Sequence, residues 1–165
     1  MTTSALAVSQ SPAHTRRIGA CLGNLLRPGD VVLLEGPFGS GKTTLVQGIA
    51  QGLGISGRVT SPSFALVNQY RADEKHGAVP VYHIDVYRIS SPEEALQFGM
   101  DEYLTDKGIG LVEWAERVES IVPEEHLWIG IQATGVRRRR LSLVASGVRY
   151  EKLLEEFVRH CGAKT

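Results

Sequence analysis

The amino-acid sequence predicts an α/β fold, and three observations carry the prediction. An unbroken apolar run, Val31 to Leu34, leads into a glycine-rich stretch and then a helix-like run from Thr44 to Leu53. A second mostly apolar run, Ile109 to Trp114, ends beside an acidic residue, at the carboxyl edge where open α/β sheets bind ligands. Shorter segments with strand character lie at 64–70, 79–87, 127–133 and 138–145, interspersed with helical patterns.

Each element follows from local chemistry. Residues 1–10 are small and polar and are expected to be disordered, leaving 11–165 as a single domain. Ser11 caps a first helix, Pro12 suits its first turn, and Ile18, Leu22, Leu25 and Leu26 form its apolar face until Pro28-Gly29-Asp30 stops it. The strand Val31 to Glu35 is apolar enough to be covered on both faces. After the glycine-rich loop, Leu45, Ile49 and Leu53 line one side of a helix that Gly54 ends. Ser56 to Ser63, SGRVTSPS, is a hydroxyl-rich loop. Phe64 to Tyr70 and Val79 to Tyr87 read as a hairpin with a charged tip. Alternation in its second strand separates Tyr82, Ile84 and Val86 from His83, Asp85 and Tyr87, one side to pack and the other to present polar groups. Ser91, Pro92 and Glu94 form a capping box for a short helix that ends near Gly99. A helical turn from Ala115 stops at Pro123, Thr134-Gly135 turns between two strands, and a helix from Tyr150 to about Cys161 buries Leu153, Leu154, Phe157 and Val158.

Composition narrows the function classes. Eighteen basic and eighteen acidic residues cancel, so no field of one sign favours wholesale binding to nucleic acid or membrane. No segment has the length and apolarity to span a bilayer, and the N-terminus lacks the pattern of a secretion signal. The two cysteines, Cys21 and Cys161, fit neither a CxxC site nor a disulfide framework, and the expectation is a reducing, cytoplasmic location.

Gly36 to Thr43, GPFGSGKT, is the stretch with chemistry in it. It fits GxxxxGK[ST], a phosphate-binding loop, and its flanks supply the strand before and the helix after that such a loop requires. The expected nucleotide contacts are Gly36, Pro37, Phe38, Gly39, Ser40, Gly41, Lys42, Thr43 and Thr44. Glycines permit the tight turn, Lys42 places a positive charge on the β and γ phosphates, and the Thr43 hydroxyl binds magnesium. Asp85 and Glu113 are the acidic partners, each following an apolar strand. Asp85 is assigned to the metal, and Glu113 to the attacking water or to a second metal position, the alternative for each being a strand-end carboxylate bonded to a helix start.

Other residues carry two readings. Thr60, Ser61 and Ser63 are either a capped turn around Pro62 or hydroxyls that sense the γ-phosphate. His83 reads first as a bonded structural histidine, and Trp114 either flanks the nucleotide or packs in the core. Arg137 to Arg140 reads as a solvated edge that blocks strand pairing, with a phosphate-contacting patch for RNA second.

GPFGSGKTT, TSPSF, VYHIDVYR and LVEW, in that order, resemble the TsaE (YjeE) family, bacterial ATPases required for threonylcarbamoyladenosine in tRNA. The resemblance runs from about Ser11 to Ala145. It implies a P-loop NTPase-like three-layer fold with a mixed parallel and antiparallel central sheet flanked by helices. It implies ATP with Mg2+ at Lys42 and Thr43, functional roles for Asp85 and Glu113, and Thr15 near the adenine. The partners it implies are the threonylcarbamoyl transferase TsaD and its companion TsaB, whose complex hydrolysis would reset. Ser63 stands where the family usually has threonine, and Ala115 where it often has proline.

Two rivals use the same loop. A small-molecule kinase would need an acceptor pocket and usually an arginine-rich lid, and no clear lid is present; Arg88 is the candidate arginine finger for hydrolysis. A guanine-nucleotide module would carry NKxD, which is absent.

Overall fold

The computed structural model of the chain describes residues 3–62, 66–105 and 107–165. Its centre is the strand β2 (Val31–Glu35), in which Val32, Leu33 and Leu34 are fully buried because both faces of the sheet are covered there. Around it the sheet takes in β1 (Ser4–Ser9), β3 (Val67–Arg71), β4 (Pro80–Asp85), β5 (Ile109–Glu113), β6 (His126–Ala133) and β7 (Arg139–Ser146). The spatial order is β1-β7-β6-β2-β5-β4-β3. β6, β2, β5 and β4 run parallel, while β3 and the pair β7 and β1 add antiparallel wings, so the predicted mixed α/β sheet flanked by helices is the observed one.

The register sets the chemistry. In the parallel centre Asp85 of β4 lies level with Glu113 of β5, and Glu113 in turn lies level with Leu34 of β2. Both acidic residues end their strands at the edge where β2 gives way to the glycine-rich loop.

Helices α1 (Pro12–Leu25) and α2 (Lys42–Gly52) pack on one face, and α5 (Val148–His160) joins them through Leu153, Leu154 and Phe157. Ser11 caps α1 by accepting from His14 N at 3.1 Å, with Pro12 in the first turn. α1 and α2 approach unusually closely because glycines face one another. A Cβ on Gly23 would stand 2.3 Å from Ile49 O, and one on Gly48 2.3 Å from Arg16 O. The short helices α3 (Pro92–Gln97), capped by Ser91, and α4 (Met100–Tyr103) cover the other face with Ile84, Val86 and Val112.

Several expectations change. Residues 4–9 are not disordered: Ala5, Ala7 and Ser9 alternate inward and the strand pairs with β7, a period of two concealed by small side chains. Its outer edge is met by the chain end, where Leu6 and Lys164 exchange backbone hydrogen bonds of 2.6 and 2.8 Å. Cys21 and Cys161 form a disulfide, because α1 and the end of α5 lie side by side although 140 residues separate the pair. On the polar side of β4, Asp85 is half-buried and Tyr87 beyond it exposed, but His83 is fully buried. Arg139 and Arg140 do not block strand pairing, because β1 lies against them. The strand expected from Phe64 starts at Val67, and Ser63, Phe64 and Ala65 lie outside the described residues.

Candidate functional site

The loop between β2 and α2 turns on glycine. Gly39 and Gly41 adopt φ of +74° and +107°, a region that side chains disfavour, and α2 starts directly after them at Lys42. Lys42 Nζ points back into the loop, donating to Gly36 O and to Pro37 O, the latter at 3.0 Å. It also sits 4.1 Å from the centre of the Trp114 ring. Burial pushes its ammonium below the usual lysine range, and the carboxylates of Glu113, Glu116 and Asp85 pull the other way.

Thr43, one residue on, donates its hydroxyl to Glu113 at 3.0 Å from Oε1 and 3.3 Å from Oε2. Glu113 is only 2% exposed and takes a second bond, 2.5 Å, from His83 Nε2. With the carboxylate ionised, that nitrogen carries the proton. Among the described residues, His83 Nδ1 is buried with no hydrogen-bond partner. Asp85 is held differently: Ser61 donates to its Oδ2 at 3.0 Å and Tyr87 N to its Oδ1 at 2.9 Å. A nearby carboxylate, Glu116, is raised above its ordinary range by burial.

These groups border one cavity of about 310 Å3, a volume at the lower end of the range for small-molecule sites. Lys42, Thr43, Thr44, Asp85 and Glu113 line it, as do Phe38, Gly39, Gly41 and Trp114. Thr15 reaches it from α1, buried, with its hydroxyl 2.6 Å from that of Ser9. Gly36 and Pro37 accept from Lys42 within the loop, and among the described residues the buried Ser40 hydroxyl has no partner. Ser61 lines the cavity, whereas Thr60 bonds Asn68 and Tyr70 outside it. Ser63 lies outside the described residues. Arg88 borders an adjoining cavity with Tyr87 and Pro62.

The cavity fits a polyphosphate by its donor set. A glycine cradle, a lysine that fills the loop with its own ammonium and a helix start together suit an anion. A magnesium ion there would rely on oxygen ligands, the Thr43 hydroxyl and carboxylates such as Asp85 and Glu113, completed by phosphate and water. Among the described residues no group of three or more His, Cys, Asp or Glu side chains is placed to hold a metal alone.

The family model for TsaE, described as threonylcarbamoyl adenosine biosynthesis protein TsaE, matches residues 9–141. The chain belongs to the TsaE family. The relative from Bacillus subtilis, a tRNA threonylcarbamoyladenosine biosynthesis protein TsaE, is 43% identical over 150 residues, covering 91% of both chains. Its counterpart in Treponema pallidum is 39% identical over 136 residues, 82% of this chain and 97% of the relative. The crystal structure of Bacillus subtilis YdiB superposes with a TM-score of 0.81 at 38% identity and covers 97% of each chain.

The TsaE match contains every side chain just described at the cavity. Sequence reasoning missed two of the contacts that shape it. His83 is bonded and buried as its sequence reading expects, but only the register between β4 and β5 reveals that its partner is Glu113. Arg139 sits in a run whose first reading is a solvated edge, yet it bonds the glycine-rich loop. Phe38, 68% exposed, completes a third feature, an aromatic cluster with Tyr87 and Trp114 at centroid distances of 4.5 and 4.9 Å. Trp114 lines the cavity with one part and packs among buried residues with another, which bears out its packing in the core. Its φ of +62° is strained for a non-glycine residue, at the point where β5 leaves the sheet.

Proposed function

We propose that the chain binds ATP with Mg2+ and hydrolyses it in the service of tRNA N6-threonylcarbamoyladenosine formation, acting as a nucleotide-driven switch on TsaD and TsaB. One observation carries this reading: the Thr43 hydroxyl bonds Glu113 directly beside the loop that Lys42 fills, with Asp85 level on the neighbouring strand. Membership of the TsaE family supports the pathway. No helix among the described residues is long and apolar enough to cross a membrane.

The residues divide the work. Lys42 exchanges its bonds to Gly36 O and Pro37 O for the β and γ phosphates; burial lowers its pKa and the carboxylates around it oppose that shift. Mg2+, when bound, neutralises charge on the phosphate oxygens, with Thr43, Asp85 and Glu113 as its protein side. Glu113, aimed by His83, orients the attacking water and accepts its proton. Asp85 joins Ser61 on one side to the Tyr87 backbone on the other, so a change at this carboxylate reaches two segments on the protein surface. That linkage is the route by which nucleotide state becomes legible to TsaD and TsaB.

Copurification of the tagged chain from its host, with and without nonhydrolysable ATP, tests the partners together with the modified-nucleoside content of tRNA. TsaD and TsaB should be retained in a nucleotide-dependent manner, and depletion of the chain should lower threonylcarbamoyladenosine. Unchanged modification, or phosphorylation of a metabolite in a substrate screen, would overturn the reading.

A further inference from the structure

Arg139, the first residue of β7, places its guanidinium between two segments that are remote in sequence. Toward the glycine-rich loop, Nε donates to Ser40 O at 2.8 Å and Nη2 to Gly39 O at 3.1 Å. Toward its own hairpin, Nη1 donates to Arg138 O at 2.8 Å and Gly135 O at 3.2 Å. A planar fork with five donors can straddle two sets of carbonyls in this way, and a lysine ammonium on a flexible stem cannot.

The bond to Ser40 O has a directional consequence. A trans peptide carries its C=O and N–H on opposite sides, so tying the carbonyl of the 40–41 peptide to Arg139 turns the Gly41 N–H away from it. Gly41 lines the cavity and has φ of +107°, a position where the backbone has freedom to reorient if nothing holds it. The same side chain keeps the 134–138 hairpin against the loop, where Arg137 and Arg139 themselves form part of the cavity wall.

We infer that Arg139 is a positioning residue for the phosphate chain: it fixes the orientation of the 40–41 peptide at the cavity wall and locks the hairpin to the loop before the ligand arrives. The inference rests on the nucleotide reading of the cavity. It assigns no contact between Arg139 and the reacting atoms.

Titration calorimetry on the full chain with Mg·ATP, Mg·ADP and inorganic tripolyphosphate tests it, using Arg139→Ala, Arg139→Lys and, as a charge control, Arg138→Ala. Arg139→Ala should weaken all three ligands by about 5- to 30-fold, the scale of one or two lost hydrogen bonds. The loss should appear in KM, with kcat within about threefold, and Arg139→Lys should recover little of it. Arg138→Ala should stay within about twofold of the parent, since it removes the same charge from the same hairpin without touching the loop. The ligand-free Tm of Arg139→Lys, measured alongside, should stay close to the parent value. Parent-like binding by Arg139→Ala would end the inference while leaving the nucleotide site intact, and equal losses in Arg138→Ala would replace the clamp with a general field effect. Absence of binding by the parent chain would instead strike the nucleotide reading itself.

Discussion

Replacing His83 by leucine should separate stability from activity. The imidazole is fully buried, bonds Glu113 Oε2 at 2.5 Å through Nε2 and, among the described residues, leaves Nδ1 without a partner. His83→Leu removes a hydrogen bond to a charged group, worth about 1.5–3 kcal/mol, and strips Glu113 of one of its donors. It also removes a buried nitrogen that lacks a partner, a relief of about 1–3 kcal/mol, and fills the site with an apolar side chain of similar size. The two effects partly cancel, so unfolding in urea should change by no more than about 2 kcal/mol. Catalysis has no such compensation. If the lost bond serves to aim Glu113 in the transition state, kcat should fall by roughly 10- to 150-fold, the same 1.5–3 kcal/mol expressed as a barrier, with little change in the affinity for Mg·ATP. A variant destabilised by more than about 3 kcal/mol that keeps full kcat would show His83 to be a packing residue and refute this reasoning.

Three further outcomes follow from the packing. Gly48→Ala drives a Cβ to 2.3 Å from the Arg16 carbonyl, and the clash should outweigh the helix-propensity gain of about 1 kcal/mol, giving a net loss of at least ~1 kcal/mol in urea unfolding; a more stable variant would contradict the close approach. Reduction of Cys21–Cys161, which spans 140 residues, should lower stability by about 2–5 kcal/mol, measured as Tm and urea midpoint with and without reductant; identical curves would mean that the bond does not constrain the chain. Tyr150 accepts from Val31 N at 2.7 Å, and burial pushes its phenol from the ordinary 10.0 up to about 12. A raised value means that its contribution is complete below pH 10.0 and is lost as the pH climbs towards about 12. Tyr150→Phe should therefore cost about 1–3 kcal/mol at neutral pH through the unpaired Val31 N–H, with the gap to the parent narrowing above pH 10; a constant gap would contradict the assignment.

Much of this molecule was legible in its residues for a definite reason. The β2 run, the glycine-rich loop and the helix after it are specified by local chemistry, and so were read to within a residue or two. The acidic strand ends, Asp85 and Glu113, were legible because strand periodicity and polarity meet at one position. What escaped depends on contacts remote in sequence. Ala5 and Ala7 carry too little hydrophobicity for their alternation to stand out, and β1 forms because β7 lies beside it. The disulfide could be read only from the adjacency of α1 and α5. His83 and Arg139 look ordinary in the sequence, since their partners lie 30 and about 100 residues away in the chain. The glycines at 19, 23, 48 and 52 did print a four-residue spacing on two successive helices, a signal that would have announced their close packing.

The proposed grip of a triphosphate and its magnesium by the loop around Lys42, with Glu113 acting on them there, is the step on which the function depends. It is met most directly by calorimetric titration of Mg·ATP and Mg·GTP into the parent chain, Lys42→Ala and Glu113→Ala, with phosphate release followed on the same samples. The parent should bind Mg·ATP in preference to Mg·GTP, Lys42→Ala should lose that binding, and Glu113→Ala should keep it while releasing no phosphate. Undiminished ATP affinity in Lys42→Ala, or full phosphate release by Glu113→Ala, would contradict the account.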